Sequence, residues 1–374
     1  MLCERADEEG GTETYLRTIL PALTERGDEM CVVAKSTIGW SDEHDPPSAA
    51  ARGAVDEIAR EFAADVAVAH NVLDSGVLDA ARSASGRFVY HLHDHRPFCP
   101  NGDRLYPQGG GICSIPMSAA GCGFHSLLHG CAYGPRPRTL GLVRIREAVA
   151  RAVRGADASV AFSRYVAELA ARNGVPAGRI NVVAPPLADD AFAPAPESRP
   201  VVDAVLFAGR VVPSKGARSL VRALARIDAQ RRPVLRIAGD GPDLSATIQL
   251  ARAREVRIEL LGRLDAAALR DAYDEATLVA LPSTWGEPFG LVGIEAFARG
   301  RPVVAYDSGA IGEWLASGCG RLVPRGNEGA LAAAIAEMLA DDAWRSASAR
   351  TFSAAQAYRL GEHIERLRAI YGGA

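Results

Sequence analysis

Two glutamates, Glu287 and Glu295, stand eight residues apart in the stretch Leu281-Pro-Ser-Thr-Trp-Gly-Glu-Pro-Phe-Gly-Leu-Val-Gly-Ile-Glu, with Gly290 and Gly293 between them. The apolar run Thr277 to Leu281 before this stretch reads as a buried parallel strand. A second run, Pro302 to Tyr306, follows, so the stretch is the turn and helix of a β-α-β unit. With the helix opening at about Phe289, the amides of Gly290, Leu291 and Val292 fall at its N-terminus, where free N–H groups suit phosphate. The two glycines would let a ligand approach the backbone closely. Glu287 lies in the loop before the helix, and Glu295 about one and a half turns inside it. A carboxylate beside a phosphate site serves sugar hydroxyls better than the phosphate itself. The stretch is therefore expected to hold a ligand that has both.

Earlier in the chain, Gly209-Arg-Val-Val-Pro-Ser-Lys-Gly216 follows the apolar run Ala204 to Ala208. Arg210 can make forked contacts and Lys215 can act as a point charge, a pairing suited to a diphosphate. The Walker spacing is absent. His91, His93 and His95 crowd the end of the run Arg87 to Leu92, with Asp94 among them. The region 96–138 is rich in Gly, Pro and Cys and has no clean periodicity. Its Cys99, Cys113, Cys122 and Cys131 could together bind a structural zinc, with free thiols or a labile disulfide as alternatives, since no C-x-x-C pair is present.

The intact run E-P-F-G-L-V-G-I-E-A-F-A-R-G-R-P-V-V-A resembles the E-x7-E signature of retaining, nucleotide-sugar-dependent glycosyltransferases of family 4. The resemblance implies a GT-B fold, α/β, with two Rossmann-like doubly wound domains facing across a cleft. It implies transfer of a sugar from a nucleotide diphosphate sugar to a hydroxyl acceptor, be it glycan, glycolipid or small metabolite. The sequence offers two cations and helix amides for the diphosphate but no obvious carboxylate pair for a divalent ion, so no metal is expected to be required for the transfer. Residue by residue, Arg210 and Lys215 resemble the family's diphosphate loop. Gly290, Leu291 and Val292, with Phe289 before them, would face the leaving diphosphate, and Glu295 the ribose. Glu287 would contact the donor sugar. Gly262 and Arg263 stand where the family holds the base through backbone groups. Gly10 and Gly11 resemble its N-terminal glycine loop, and His93 its cleft histidine, with His91 and His95 as rivals. Pro185-Pro186 departs from the Asn-Gly pair usual after the last strand of the first domain.

These residues need elements to hold them. The 374 residues suit two α/β domains, expected at 1–190 and 200–350, with 351–374 as a terminal helix that crosses back to the first. Strands are expected at Met30–Ala34, Asp65–Ala69, Arg87–Leu92, Ala158–Phe162 and Ile180–Ala184. The second domain adds Ala204–Ala208, Val234–Ala238, Val256–Leu261, Thr277–Leu281, Pro302–Tyr306 and Arg321–Pro324. Helix spacing of Leu16, Ile19, Leu20 and Leu23 follows the glycine loop. Leu187–Pro200 reads as a linker. Thr139–Arg154 reads as a basic helix whose arginines, with Arg136 and Arg138, could meet an anionic membrane, although a solvated face is the plainer reading. A net charge of −3 gives no case for nucleic acid. The first residues lack the pattern of a signal peptide, so a cytoplasmic protein is expected. Two rivals to transfer stand beside it: a sugar-nucleotide epimerase or hydrolase of the same fold, and a non-catalytic sugar-binding protein.

Overall fold

The computed structural model describes residues 1–3, 11–41, 45–106, 110–131, 136–194, 196, 198–315 and 318–372, without the side chains of 136–139. The chain divides into two compact units. One comprises Met1–Pro186 together with Leu360–Ala374, and the other Leu187–Arg359.

The first unit is built on a six-stranded sheet. Its strands are β1 (Leu2–Cys3), β2 (Val33–Ala34), β3 (Val66–His70), β4 (Arg87–Leu92), β5 (Ala158–Ala161) and β6 (Ile180–Val182), in the order β2-β1-β3-β4-β5-β6. They pair in parallel. A parallel sheet covered on both faces needs near-continuous apolar strands, and Phe88, Val89, Tyr90 and Leu92 of β4 are all buried. The helix Gly11–Glu25 buries Tyr15, Leu16, Ile19, Ala22 and Leu23. The helix Leu360–Gly372, far away in sequence, packs on the same unit, with Ile364 and Leu367 fully buried.

The second unit holds β7 (Ala204–Ala208), β8 (Val234–Ala238), β9 (Ile258–Gly262), β10 (Leu278–Leu281), β11 (Val303–Tyr306) and β12 (Gly320–Val323). Their order, β12-β11-β10-β7-β8-β9, is that of the doubly wound dinucleotide fold, with the winding reversing between β7 and β10. Register pairs Leu278 with Val205 and Val279 with Leu206, so the carboxyl ends of β7 and β10 lie side by side. In such sheets ligands bind where the winding reverses.

Within 96–138 the described residues are more ordered than the composition suggests. A helix runs Ala119–His129, capped by Ser118, whose side chain accepts from the Gly121 amide at 3.0 Å. The buried Arg104 staples the segment before it, donating to the carbonyls of Cys113 (2.7 Å) and Ile115 (2.8 Å). The basic helix runs Arg136–Arg154, but its arginines are not one solvated face. Arg146 is buried, and Arg154 is bound to Glu147 (2.9 Å) and to the Asn173 carbonyl (2.7 Å). Among the described residues no helix is long and apolar enough to cross a membrane.

Candidate functional site

Two loops leave the neighbouring ends of β7 and β10 and are tied to each other. Gly216 closes the first; a Cβ there would lie 2.0 Å from the Pro282 carbonyl, so only glycine lets the two backbones touch. The Thr284 amide donates to the Ser214 carbonyl at 2.8 Å. Across this junction Lys215 Nζ meets Glu287 Oε1 at 2.7 Å and lies 5.1 Å from the centre of the Trp285 ring.

Glu287 is only 3% exposed. Burial works to raise its pKa. The Lys215 ammonium and the hydrogen bonds from Lys215, Ser283 and Trp285 outweigh that, and the carboxyl is held below the usual range. The Ser283 hydroxyl donates to it at 2.5 Å. Its backbone is fixed from behind: the Ala310 amide donates to the Glu287 carbonyl (2.8 Å), the Ser308 hydroxyl to the Trp285 carbonyl, and the Trp314 indole to the Phe289 carbonyl (2.6 Å). The result is an ionised carboxylate in a fixed position beside a cation.

The helix opens at Leu291 rather than Phe289 and ends at Ala298. Gly290 is its cap, at φ +94, a backbone conformation natural to glycine. Leu291 and Val292 thus occupy the first turn, where amides have no carbonyl one turn back to receive them. Gly293 corrects the sequence reading. A Cβ there would fall 1.9 Å from the Trp314 ring, so this glycine exists for packing and not for the approach of a ligand. Phe289 is buried against Tyr358, 5.9 Å ring to ring.

Glu295 is half-buried and accepts from the Tyr273 hydroxyl at 2.7 Å. Burial raises its pKa, and the Tyr273 bond only partly counters this. Arg210 is exposed in the β7 loop. Gly262, at the end of β9, and Arg263 are also exposed.

In the first unit, the carboxyl ends of β3 and β4 bring His70, His91 and His93 together, all buried. His93 Nε2 lies 3.0 Å from His70 Nδ1. Burial, with Arg96 nearby, lowers the His93 pKa to about 3 against an opposing pull from Asp94. His93 is therefore a neutral ring. Asp94 is occupied: its carboxylate accepts from the Arg96 side chain (2.7 Å), the Arg96 amide (2.8 Å) and Asn71 (3.1 Å). Burial opposes ionisation there, yet Arg96 holds the carboxyl below its ordinary value. Asn71 also reaches Thr12 at 3.3 Å, one residue after Gly11 at the start of its helix. Gly10 lies outside the described residues. His95 packs edge-on against Tyr165, at 5.7 Å, apart from the three other rings.

Cys99, Cys113, Cys122 and Cys131 all line one small pocket, with Phe98, Met117 and His125. All four are free thiols. Burial raises the pKa of Cys99, Cys122 and Cys131. A tetrahedral zinc–thiolate site, with bonds of about 2.3 Å, spaces its sulfurs about 3.8 Å apart. Among the described residues no three of these sulfurs come within 4.8 Å of one another. The pocket gathers the ligands without setting them at bonding distance.

Sequence reasoning missed Tyr273, Ser283 and Trp314. Tyr273 belongs to the helix Ala266–Asp274 and Trp314 to Ile311–Trp314, elements whose periodicity reads as ordinary core. Only the fold shows their polar atoms turned on the site.

Residues 9–190 match the family described as Glycosyltransferase Family 4, and residues 203–341 the family described as Glycosyl transferases group 1. The D-inositol 3-phosphate glycosyltransferase of Kineococcus radiotolerans is 33% identical over 278 residues, 66% of this chain and 62% of that protein. The phosphatidyl-myo-inositol mannosyltransferase of Mycobacterium leprae is 38% identical over 148 residues, 38% of each chain. The match thus spans less than two thirds of either relative. Among solved structures, Anabaena HepE in complex with UDP superposes with a TM-score of 0.72 at 19% identity, covering 100% of this chain and 99% of that one. The sucrose-phosphate synthase of Thermosynechococcus elongatus gives 0.71 at 20% identity, covering 100% and 98%.

Proposed function

We propose, from the premise that this chain belongs to family 4 of the glycosyltransferases and has the GT-B fold, that it moves a sugar from a nucleotide diphosphate sugar to a hydroxyl acceptor with retention at the anomeric carbon. The observation that carries this reading is the pairing of Lys215 with an ionised Glu287 at the winding reversal of the second sheet, beside a helix N-terminus. Arg210, Lys215 and the amides of Leu291 and Val292 would stabilise charge growing on the departing diphosphate. Such preorganised electrostatics is usually the largest catalytic contribution. Glu287 would face the donor sugar as oxocarbenium character develops, and Glu295 would accept from the ribose. Gly262 and Arg263 would meet the base, and Gly11 the phosphates. His93 carries over as the histidine that approaches the sugar.

Retention has support from the weak bases. An inverting enzyme needs a group to deprotonate the acceptor. With a pKa of about 3, His93 is a poor one, and Asp94 is held low by Arg96. In the front-face mechanism proposed for the family, the leaving phosphate takes that proton instead. The test is a thermal-shift screen of nucleotide sugars, followed by transfer assays with and without acceptor in EDTA. Binding without turnover would favour the sugar-binding rival. Hydrolysis or rearrangement unaffected by acceptor would favour the epimerase or hydrolase. Loss of transfer restored by Mg²⁺ or Mn²⁺ would remove the metal-free account of the diphosphate.

Two secondary readings rest on particular observations. The helix Ala119–His129 exposes Phe124, Leu127 and Leu128 by 54–60%, which makes this face, rather than the basic helix, the proposed place of any membrane contact. Co-sedimentation of Phe124→Ser and Leu128→Ser with vesicles tests it. The four-cysteine pocket is proposed to close around a structural zinc. A zinc-free, stably folded sample would exclude that.

A further inference from the structure

On one face of the first sheet three imidazoles meet. His70 ends β3 and stands in register with His91 on β4; His93 follows two residues after His91 and so leaves the strand on the same side. The ring centres of His70 and His91 are 4.3 Å apart, and one nitrogen from each of the three rings lies within 4.8 Å of the other two. Tyr15, from the helix Gly11–Glu25, packs within 6 Å of all three rings. The terminal helix supplies Tyr371, whose hydroxyl is 2.9 Å from His91 Nε2.

Hydrogen bonding accounts for only part of this cluster. His70 and His91 are fully buried, yet His70 Nε2 and His91 Nδ1 have no partner among the described residues. A buried polar atom left unmade costs about 1–3 kcal/mol, and native structures that carry one usually meet it with a water or an ion. Burial also keeps all three rings neutral, so their lone pairs are available. Zinc–imidazole bonds of about 2.0–2.1 Å in a tetrahedron put ligand nitrogens about 3.3–3.4 Å apart. His70 Nδ1 and His93 Nε2 already stand at 3.0 Å, a hydrogen bond that the ion would replace; bound through Nδ1, His70 keeps its proton on Nε2, so the orphan that the ion itself meets is His91 Nδ1. With Tyr371 holding Nε2 of His91, the orphan Nδ1 is the nitrogen left to bind. A polar partner on the far nitrogen is how metal-binding histidines are ordinarily oriented.

We propose that His70, His91 and His93 form a binding site for a borderline-soft divalent transition metal, zinc being the representative ion. Three imidazoles without thiolate or carboxylate suit zinc, copper or nickel over magnesium or calcium. The ion would tie the ends of β3 and β4 together and, through Tyr371, link them to the terminal helix. The site shares His93 with the transferase reading, so its test reads the bound metal and not transfer; it is separate from the cysteine pocket.

The test is X-ray absorption at the zinc edge on the full chain loaded with two equivalents of zinc, enough to fill the cysteine pocket as well, together with zinc titration of Tyr371→Phe and His91→Gln. The expected result is a shell of three imidazole nitrogens at about 2.0–2.1 Å, where thiolate would give about 2.3 Å. Tyr371→Phe should weaken zinc about 10- to 100-fold, as loss of a supporting hydrogen bond does elsewhere. His91→Gln should abolish that site. The absorption spectrum of the wild-type chain decides the matter even if His91→Gln fails to fold. A sulfur-only shell, or a chain that emerges zinc-free from dialysis against excess zinc, would overturn the proposal; the second outcome would assign the orphan nitrogens to buried water.

Discussion

At the scale of single residues, the site turns on two carboxylates that the protein treats in opposite ways. Glu287 is kept ionised by Lys215, while burial makes Glu295 harder to ionise. Replacing Lys215 by Met would leave the Glu287 charge buried with only Ser283 and Trp285 to meet it. The expected loss is about 1–3 kcal/mol, less than for a wholly buried pair because the Lys215 side chain is 28% exposed. Chemical denaturation checks this, and adding Glu287→Gln to the Lys215 variant should recover most of the loss. For Glu295, truncation to Ala should weaken nucleotide-sugar binding by about 1–3 kcal/mol in calorimetry. The carboxylate form is the acceptor, so affinity should fall as pH drops through a window above the ordinary 4.5. Tyr273→Phe removes the hydrogen bond that favours ionisation and should move this inflection to higher pH. The spacing of the two glutamates was legible in the sequence. Their partners were not, because Lys215 lies 72 residues before Glu287 and Tyr273 lies 22 before Glu295, distances that only the parallel crossovers bring to contact.

At the scale of elements, the helix Leu291–Ala298 is aimed by what packs behind it. Gly293→Ala would drive a methyl into the Trp314 ring and should cost about 1–3 kcal/mol as overpacking. Trp314→Phe should relieve part of that by opening space, while giving up the bond to the Phe289 carbonyl. Thermal denaturation of the two single variants and the double checks both statements. The terminal helix has its own sensitivity. His363 is held at a pKa of about 4 by burial, despite the Ala184 carbonyl, which accepts from its Nδ1 at 2.8 Å. Its Nε2 accepts from Tyr15 at 2.9 Å and would lose that bond on protonation. The unfolded ring titrates near 6.5, so below that pH the unfolded chain takes up the proton first. Stability from this group is therefore intact above 6.5 and lost between 6.5 and 4, about 3 kcal/mol in all. Denaturation across that range should show a shallower acid limb for His363→Gln. Long apolar strands such as Arg87–Leu92, Ala204–Ala208 and Val234–Ala238 were readable to the residue. Met30–Ala34 was not, since only Val33 and Ala34 find a neighbour in β1. The helix Ala119–His129 escaped notice because none of its residues is fully buried; Gly121 and Gly123 break its pattern, and Phe124, Leu127 and Leu128 point outward.

At the scale of the whole molecule, the decisive measurement is stereochemical. An α-linked donor should give an α-linked product, read from the anomeric coupling by NMR. A clean β-linkage would mean that a base had acted from the opposite face, and would return attention to Asp94 and His93 despite their low basicity. A different consequence follows from the chain's path. The second unit is one continuous stretch, Leu187–Arg359, while the first waits for Leu360 onward to supply the helix that brings His363 to Tyr15 and Tyr371 to His91. On the ribosome, then, the first half to be translated is the last to be finished. The second unit can close its sheet while the first still lacks the helix that meets Tyr15 and His91, so a chain interrupted after Arg359 would hold one finished fold beside one unfinished.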